Sequence, residues 1–175
     1  MKRLTEKQAL VRLKGLKDDF QNLIGTTYEP NAKSCATCET KGACCLDAHF
    51  VNVHISRLEA VAIHNAIENF PRDRRRAVYN RNAETVKKYN LDSNEDSFSK
   101  TYACPLFEKD AGCLVHEDGK PAPCIQHACY ENISDLPPDE LQTSVESKIE
   151  RLNDQIYGNA WNWLPLPVWL SKLAG

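Results

Sequence analysis

Eight of the 175 residues are cysteine, and all eight fall in two stretches: Cys35, Cys38, Cys44 and Cys45 in the first, Cys104, Cys113, Cys124 and Cys129 in the second. A chain of this length can bury a core without covalent staples, so the fold itself does not demand them. A single free cysteine commonly packs as a small hydrophobe. Eight confined to two segments, with the predicted helices holding none, are not explained that way. The compartment decides how they are read. The opening residues Met1 to Lys7 carry no apolar stretch of the kind a secretory signal has. The longest apolar region, Trp161 to Leu170, is interrupted by Pro165 and Pro167 and is too short to span a bilayer. We therefore expect a cytoplasmic protein with no membrane span, where clustered cysteines bind metal or react. An exported chain could instead pair the eight as four disulfides.

Composition narrows the class. Hydrophobic residues make up 42% and charged residues 26% of the chain, ordinary for a globular protein and out of range for collagen or disordered classes. The length suits one domain, which we place at 1–175, with a cysteine-cluster module at 35–129 and helical flanks at 1–34 and 137–175. A formal net charge of −2 offers no general grip on phosphate backbones, so no nucleic-acid partner is expected.

The remaining periodicity is helical. Residues 5–24 read as an amphipathic helix capped by Thr5, with Leu13, Leu16, Phe20 and Leu23 on one face and Gly25 closing it. Phe50 to His54 alternates and reads as a short strand. Ser56-Arg57-Leu58-Glu59 is a capping box that opens a helix to about Phe70. Pro71 suits the first position of a second helix, 71–89, ended near Asn90. A last long helix starts at Pro137-Pro138-Asp139-Glu140 and ends at Gly158, with Leu141, Val145, Ile149, Leu152 and Ile156 on one face. The fold class is mainly α: a small helical domain with two cysteine-rich metal-binding loops. In it the 56–70 and 71–89 pair lies between the loops, and the terminal helices pack around that pair. Basic surfaces at 2–17 and 72–88 face acidic stretches at 91–118 and 131–154, which reads as intramolecular complementarity or as a docking face for an acidic protein partner. The tail concentrates Trp161, Trp163 and Trp169. It reads as an irregular lid over the helices, with a docking segment as the alternative.

The cysteine spacing carries the chemistry. Cys35-Ala-Thr-Cys38 in a turn brings two sulfurs close enough for one metal or one cluster edge. Gly42 permits the tight backbone return that a further ligand needs. Adjacent Cys44 and Cys45 point in divergent directions and do not suit a single tetrahedral ion as an equivalent pair, so one is expected at the first site and the other at a second site or the core. Cys104 is followed by Pro105, the ending of bacterial ferredoxin ligand runs. Pro121 and Pro123 hold a rigid turn before Cys124. His127 is a candidate mixed ligand or a surface imidazole, and His116 a candidate hydrogen-bond donor to a sulfur or carbonyl. His49, His54 and His64 read as ordinary side chains. A redox-active thiol pair at Cys35 and Cys38 is the lesser alternative, because no βαβ context surrounds it. No Gly-rich phosphate loop, His-Glu-x-x-His or nucleophile elbow is present, and catalysis is left open.

Cys-x-x-Cys followed by Cys-Cys, then Cys-Pro-Leu-Phe, then Cys-Leu-Val-His-Glu-Asp-Gly-Lys-Pro-Ala-Pro-Cys, resembles the YkgJ-type cysteine cluster family, a zinc- or iron-chelating domain. The resemblance covers about residues 35–130. It implies metal ligation by Cys35, Cys38, Cys44, Cys45, Cys104, Cys113 and Cys124, with Cys129 as an eighth. Five residues separate Cys38 from Cys44, where the family has two. His116 and Lys120 replace a tyrosine and an arginine. The expected cofactor is an iron–sulfur cluster, because spacings of 5, 8 and 10 residues are irregular for paired zinc knuckles, and Zn²⁺ is the alternative. The expected function is that of a cytosolic metal-cluster protein in electron transfer, or accessory to a modifying enzyme. The alternative is a structural zinc module that binds a protein partner.

Overall fold

The computed structural model describes residues 4–34, 38–40, 42–46, 52–93, 96–158 and 163–174. Among these the chain is mainly helical: α1 (Glu6–Thr27), α2 (Arg57–Glu68), α3 (Arg72–Tyr89), α4 (Ala122–Gln126), α5 (Asp139–Tyr157) and α6 (Leu166–Ala174). Six two-residue strands, β1 (Ala32–Lys33), β2 (His54–Ile55), β3 (Phe107–Glu108), β4 (Gly112–Cys113), β5 (Cys129–Tyr130) and β6 (Leu164–Pro165), form three antiparallel pairs, β1–β5, β2–β6 and β3–β4. The chain divides into two compact units, residues 1–41 with 121–161 and residues 42–120 with 162–175. No described helix is long and apolar enough to cross a membrane.

In the first unit α1 packs on α5, and α4 packs on both. Thr5 caps α1 through a reciprocal box with Gln8, satisfying amides that have no intrahelical partner. Ala9, Leu13, Phe20 and Ile24 form the buried stripe, and Val145 and Ile149 supply that of α5. Leu23, expected inside, is 40% exposed. The helix also runs through Gly25 to Thr27 rather than stopping there. The ~1 kcal/mol that glycine costs a helix interior does not end α1, whose last turn is closed by the Tyr28 amide on the Ile24 carbonyl at 2.9 Å. β1 and β5 pair Ala32 with Tyr130 and Lys33 with Cys129.

In the second unit the predicted boundaries of the helix pair hold closely. Ser56 and Glu59 form the capping box, Pro71 sits one position before α3, and Asn90 ends α3 in the left-handed region at φ 50°. The partner of this pair is α6, which packs on both α2 and α3. Ile55, Ala60, Ile63, Ile67, Val78, Leu106, Val115, Leu166, Trp169 and Leu170 form one core. Trp169 Nε1 donates to the Ile55 carbonyl at 3.0 Å, and buried Asn82 donates to the carbonyl of Pro167 at 3.0 Å. Tyr102, also buried, donates its hydroxyl to the Val53 carbonyl at 2.6 Å. The tail is thus a lid on this core, as one of the two readings expected, but a helical one. Pro167 falls in the first turn of α6, where a missing N–H costs nothing. Trp161 lies outside the described residues, as do Phe50 and Val51 of the expected strand; of the rest of that strand Asn52 and Val53 are irregular and only His54 is in a strand, β2.

Candidate metal centre

The second unit holds Cys44, Cys45, Cys104 and Cys113. Gly42, at φ 81°, turns the chain into a single 3₁₀ turn, Ala43–Cys45, that carries the adjacent pair. This left-handed conformation is one that side chains other than glycine's resist, and the ring of Phe107 covers the position where a Cβ would stand. The Cys104 amide donates to the Cys45 carbonyl at 2.8 Å, fastening the first cysteine stretch to the second. Downstream, the β3–β4 hairpin pairs Phe107 with Cys113 and Glu108 with Gly112, folding Cys113 back beside Cys104.

The Cys104 and Cys113 sulfurs are withdrawn from water. Burial pushes the Cys104 thiol up to about 12, although backbone N–H groups of Leu106 and Phe107 point at it and the Arg81 guanidinium lies nearby. Burial likewise raises Cys113, opposed by the Val115 amide and the Lys120 ammonium, and reinforced by Cys44. Amides and cations directed at a buried sulfur stabilise its anionic form. Arg81 anchors through Nε to the Pro105 carbonyl at 3.2 Å, while its buried Nη2 has no hydrogen-bond partner. An orphaned guanidinium donor beside Cys104, with four thiols in one unit, fits a group that brings anionic sulfur. Neither cation stood out in the sequence: Arg81 is one of many basic residues on α3, and only its inward position distinguishes it.

The first unit holds Cys38, Cys124 and Cys129; Cys35, three residues before Cys38, lies outside the described residues, as does His49. Cys129 stands opposite Lys33 in the β1–β5 pair. The Lys33 ammonium bonds Glu131 at 2.7 Å, and its pKa is raised chiefly by that carboxylate, with smaller contributions from Cys129 and Cys38. Cys124 belongs to α4 rather than to an irregular turn, because Pro121 precedes the helix and Pro123 falls in its first turn. Beside these cysteines, Gln126 Oε1 and the Tyr130 hydroxyl are buried without a hydrogen-bond partner.

Each unit therefore draws on both cysteine stretches. The seven described cysteines are all half-buried. Among the described residues, however, no three His, Cys, Asp or Glu side chains already stand as a ligand shell. His116 and His127 are exposed, and His64 is hydrogen-bonded to Tyr79 at 2.7 Å. The basic helix is largely answered within the chain: Arg74 bonds Glu108 at 2.8 Å, Arg75 bonds Glu68 at 2.7 Å and Arg76 bonds Asp73 at 3.3 Å. The chain matches no protein-family model, no curated protein and no solved structure.

Proposed function

We propose that this chain is a cytosolic cysteine-cluster metalloprotein that binds iron–sulfur and serves in electron transfer or as an accessory to a modifying enzyme, as its resemblance to the YkgJ-type family implies. The observation that supports the reading is the second unit's set of four cysteines, of which Cys104 is approached by backbone amides and Arg81, and Cys113 by a backbone amide and Lys120. Thiolates ligate metal only when deprotonated, and a bound cation removes the proton outright. The amides and cations then act on the anion they face.

Iron–sulfur is favoured over zinc by the turn at Ala43–Cys45. Successive side chains of a 3₁₀ helix diverge by about 120°. Two such sulfurs fit the separated metal corners of a cluster better than a single small tetrahedral ion. A bound cluster would supply one-electron chemistry. The chain's own residues would hold it through cysteine sulfur and offset its anionic charge through Arg81 and Lys120. Anaerobic purification followed by a visible spectrum and metal analysis tests this. A broad visible band with iron and acid-labile sulfide is the expected result. Colourless protein with stoichiometric zinc would replace the iron–sulfur reading with the structural one, and protein without metal would end both.

A further inference from the structure

We propose that His64 Nδ1, Glu68 Oε1 and the Tyr79 hydroxyl form a cation site without thiols between α2 and α3, suited to a hard trivalent ion such as ferric iron. The inference is independent of the cysteine reading above, since a chain that bound nothing through sulfur could still hold this ion.

Two facing pairs build the site. His64 and Glu68 are one helical turn apart on α2, and Arg75 and Tyr79 are one turn apart on α3, so each pair shares a helix face. The two helices pack on each other within the second unit. The Tyr79 oxygen stands 2.7 Å from His64 Nδ1 and 3.2 Å from Glu68 Oε1. These separations bracket the ~2.9 Å expected between neighbouring ligands at right angles around an ion with bonds of about 2.0–2.1 Å. An ion taking the place of the phenol proton would thus find the donors already near coordination spacing. Arg75 Nη1 holds the other carboxylate oxygen, Oε2, at 2.7 Å, which leaves Oε1 to the phenol. Metal-binding carboxylates are commonly supported in this way. The guanidinium opposes a cation, but Arg75 and Glu68 are 35% and 41% exposed, so water screens the repulsion and an ion can reach the carboxylate.

The donors select the ion. Two oxygens that are anionic when bound, with one imidazole, suit a hard cation, and soft ions are left to the cysteines. Displacing a phenol proton near neutral pH takes a strongly polarising ion, which sets ferric iron above magnesium or calcium. Only two of the three ligands are of the His, Cys, Asp or Glu type, in keeping with the absence of any such threesome among the described residues.

Ferric nitrilotriacetate added to the full-length protein tests the site, read as a visible difference spectrum against the same sample before addition. The expected result is a charge-transfer band that saturates at a single ion per chain. Resonance Raman excitation in that band should show the ring vibrations of an iron-bound phenolate, which sulfur ligation does not give. The phenolate signal should vanish in Tyr79→Phe and persist in Tyr89→Phe. His64→Gln and Glu68→Gln should each weaken binding at least about tenfold, since loss of even a group that supports a ligand costs that much. Circular dichroism of each variant checks folding. A second measurement needs no variant at position 79: gallium(III), a redox-inert hard ion, is added to unaltered ¹⁵N-labelled protein. The Nδ1 resonance of His64, assigned by its absence in His64→Gln, should move before those of the other histidines. No phenolate signal in the unaltered protein, a signal that survives in Tyr79→Phe, or gallium that leaves His64 unmoved would overturn the inference and leave the contacts as a fastening of α2 to α3. None of these outcomes bears on the thiols, which the iron and sulfide analysis tests.

Discussion

Replacing Gly42 by alanine tests whether the turn that presents Cys44 and Cys45 depends on the absence of one carbon. Two costs add. At φ 81° the backbone is in the left-handed region, which costs an L-residue about 1–2 kcal/mol. The new Cβ would also fall 1.8, 2.3 and 2.7 Å from Cζ, Cε2 and Cε1 of Phe107, so the ring must leave its seat. Forced repacking of this kind costs about 1–3 kcal/mol, giving about 2–5 in all. Gly112 is the control: its φ is 80°, yet a Cβ there meets nothing within 4 Å, so Gly112→Ala should show only the conformational part. The entropy that alanine removes from the unfolded chain is common to both variants and cancels in the comparison. Urea unfolding of the two variants, and of each in a Phe107→Ala background, separates the contributions. We expect Gly42→Ala to cost about 1–3 kcal/mol more than Gly112→Ala, and that excess to vanish once Phe107 is alanine. Equal costs for the two glycines, or an excess that survives removal of the ring, would refute the reasoning.

Deleting residues 164–174 should unfold the second unit, because it removes Leu166, Val168, Trp169 and Leu170, each at most 8% exposed. At about 1.5–3 kcal/mol for each buried side chain, the loss of about 6–12 kcal/mol rivals the whole stability of a domain; a soluble truncated chain with native helical circular dichroism would contradict this. Burial lowers the pKa of His54 from its ordinary 6.5, against smaller opposing effects of the Asn52 backbone and Asp96. Below pH 6.5 the unfolded chain takes up a proton that the folded one resists, so stability should fall as pH drops through that range. Urea titrations at several pH values should show this slope reduced in His54→Gln. Reversing Arg74 to Glu should weaken folding by about 1 kcal/mol through loss of the exposed Glu108 pair, read by thermal melting, with Glu108→Arg restoring most of it. Complete metal removal should lower the melting temperature of loaded protein, since the proposed ligation would join stretches remote in sequence.

What the sequence announced, and what it concealed, divides along physical lines. Capping boxes at Thr5 and Ser56 and the stop at Asn90 are local chemistry, so α1 to α3 could be placed to within a few residues. The α6 helix was hidden because prolines at 165 and 167 resemble breakers until the helix is seen to begin at Leu166. Similarly, Pro121 and Pro123 suggested a turn where they start α4. Cysteine clustering was legible in the sequence, and the division of the cysteines between units was not. Spacing joined Cys38 to its neighbours Cys44 and Cys45, whereas the tertiary fold assigns them to different units. The packing of α6 on α2 and α3 likewise depends on long-range burial that periodicity does not encode.

The order in which the chain visits its two units has a consequence for biosynthesis. It begins in the first unit, passes to the second at residue 42, returns at 121 and departs again at 162. Translation proceeds from the N-terminus, and domains built from continuous segments can fold as they emerge. Neither unit here has that option. When α1 leaves the ribosome its partner α5 is still unmade, and α2 and α3 must wait through residues 90–163 for the helix that covers them. A nascent chain therefore carries two unfinished cores at once, each with an uncovered apolar face and reactive thiols. Its folding should lean on holding chaperones until residue 166 and beyond have been made. The same interleaving means that no single cut in the chain can release either unit as a continuous piece.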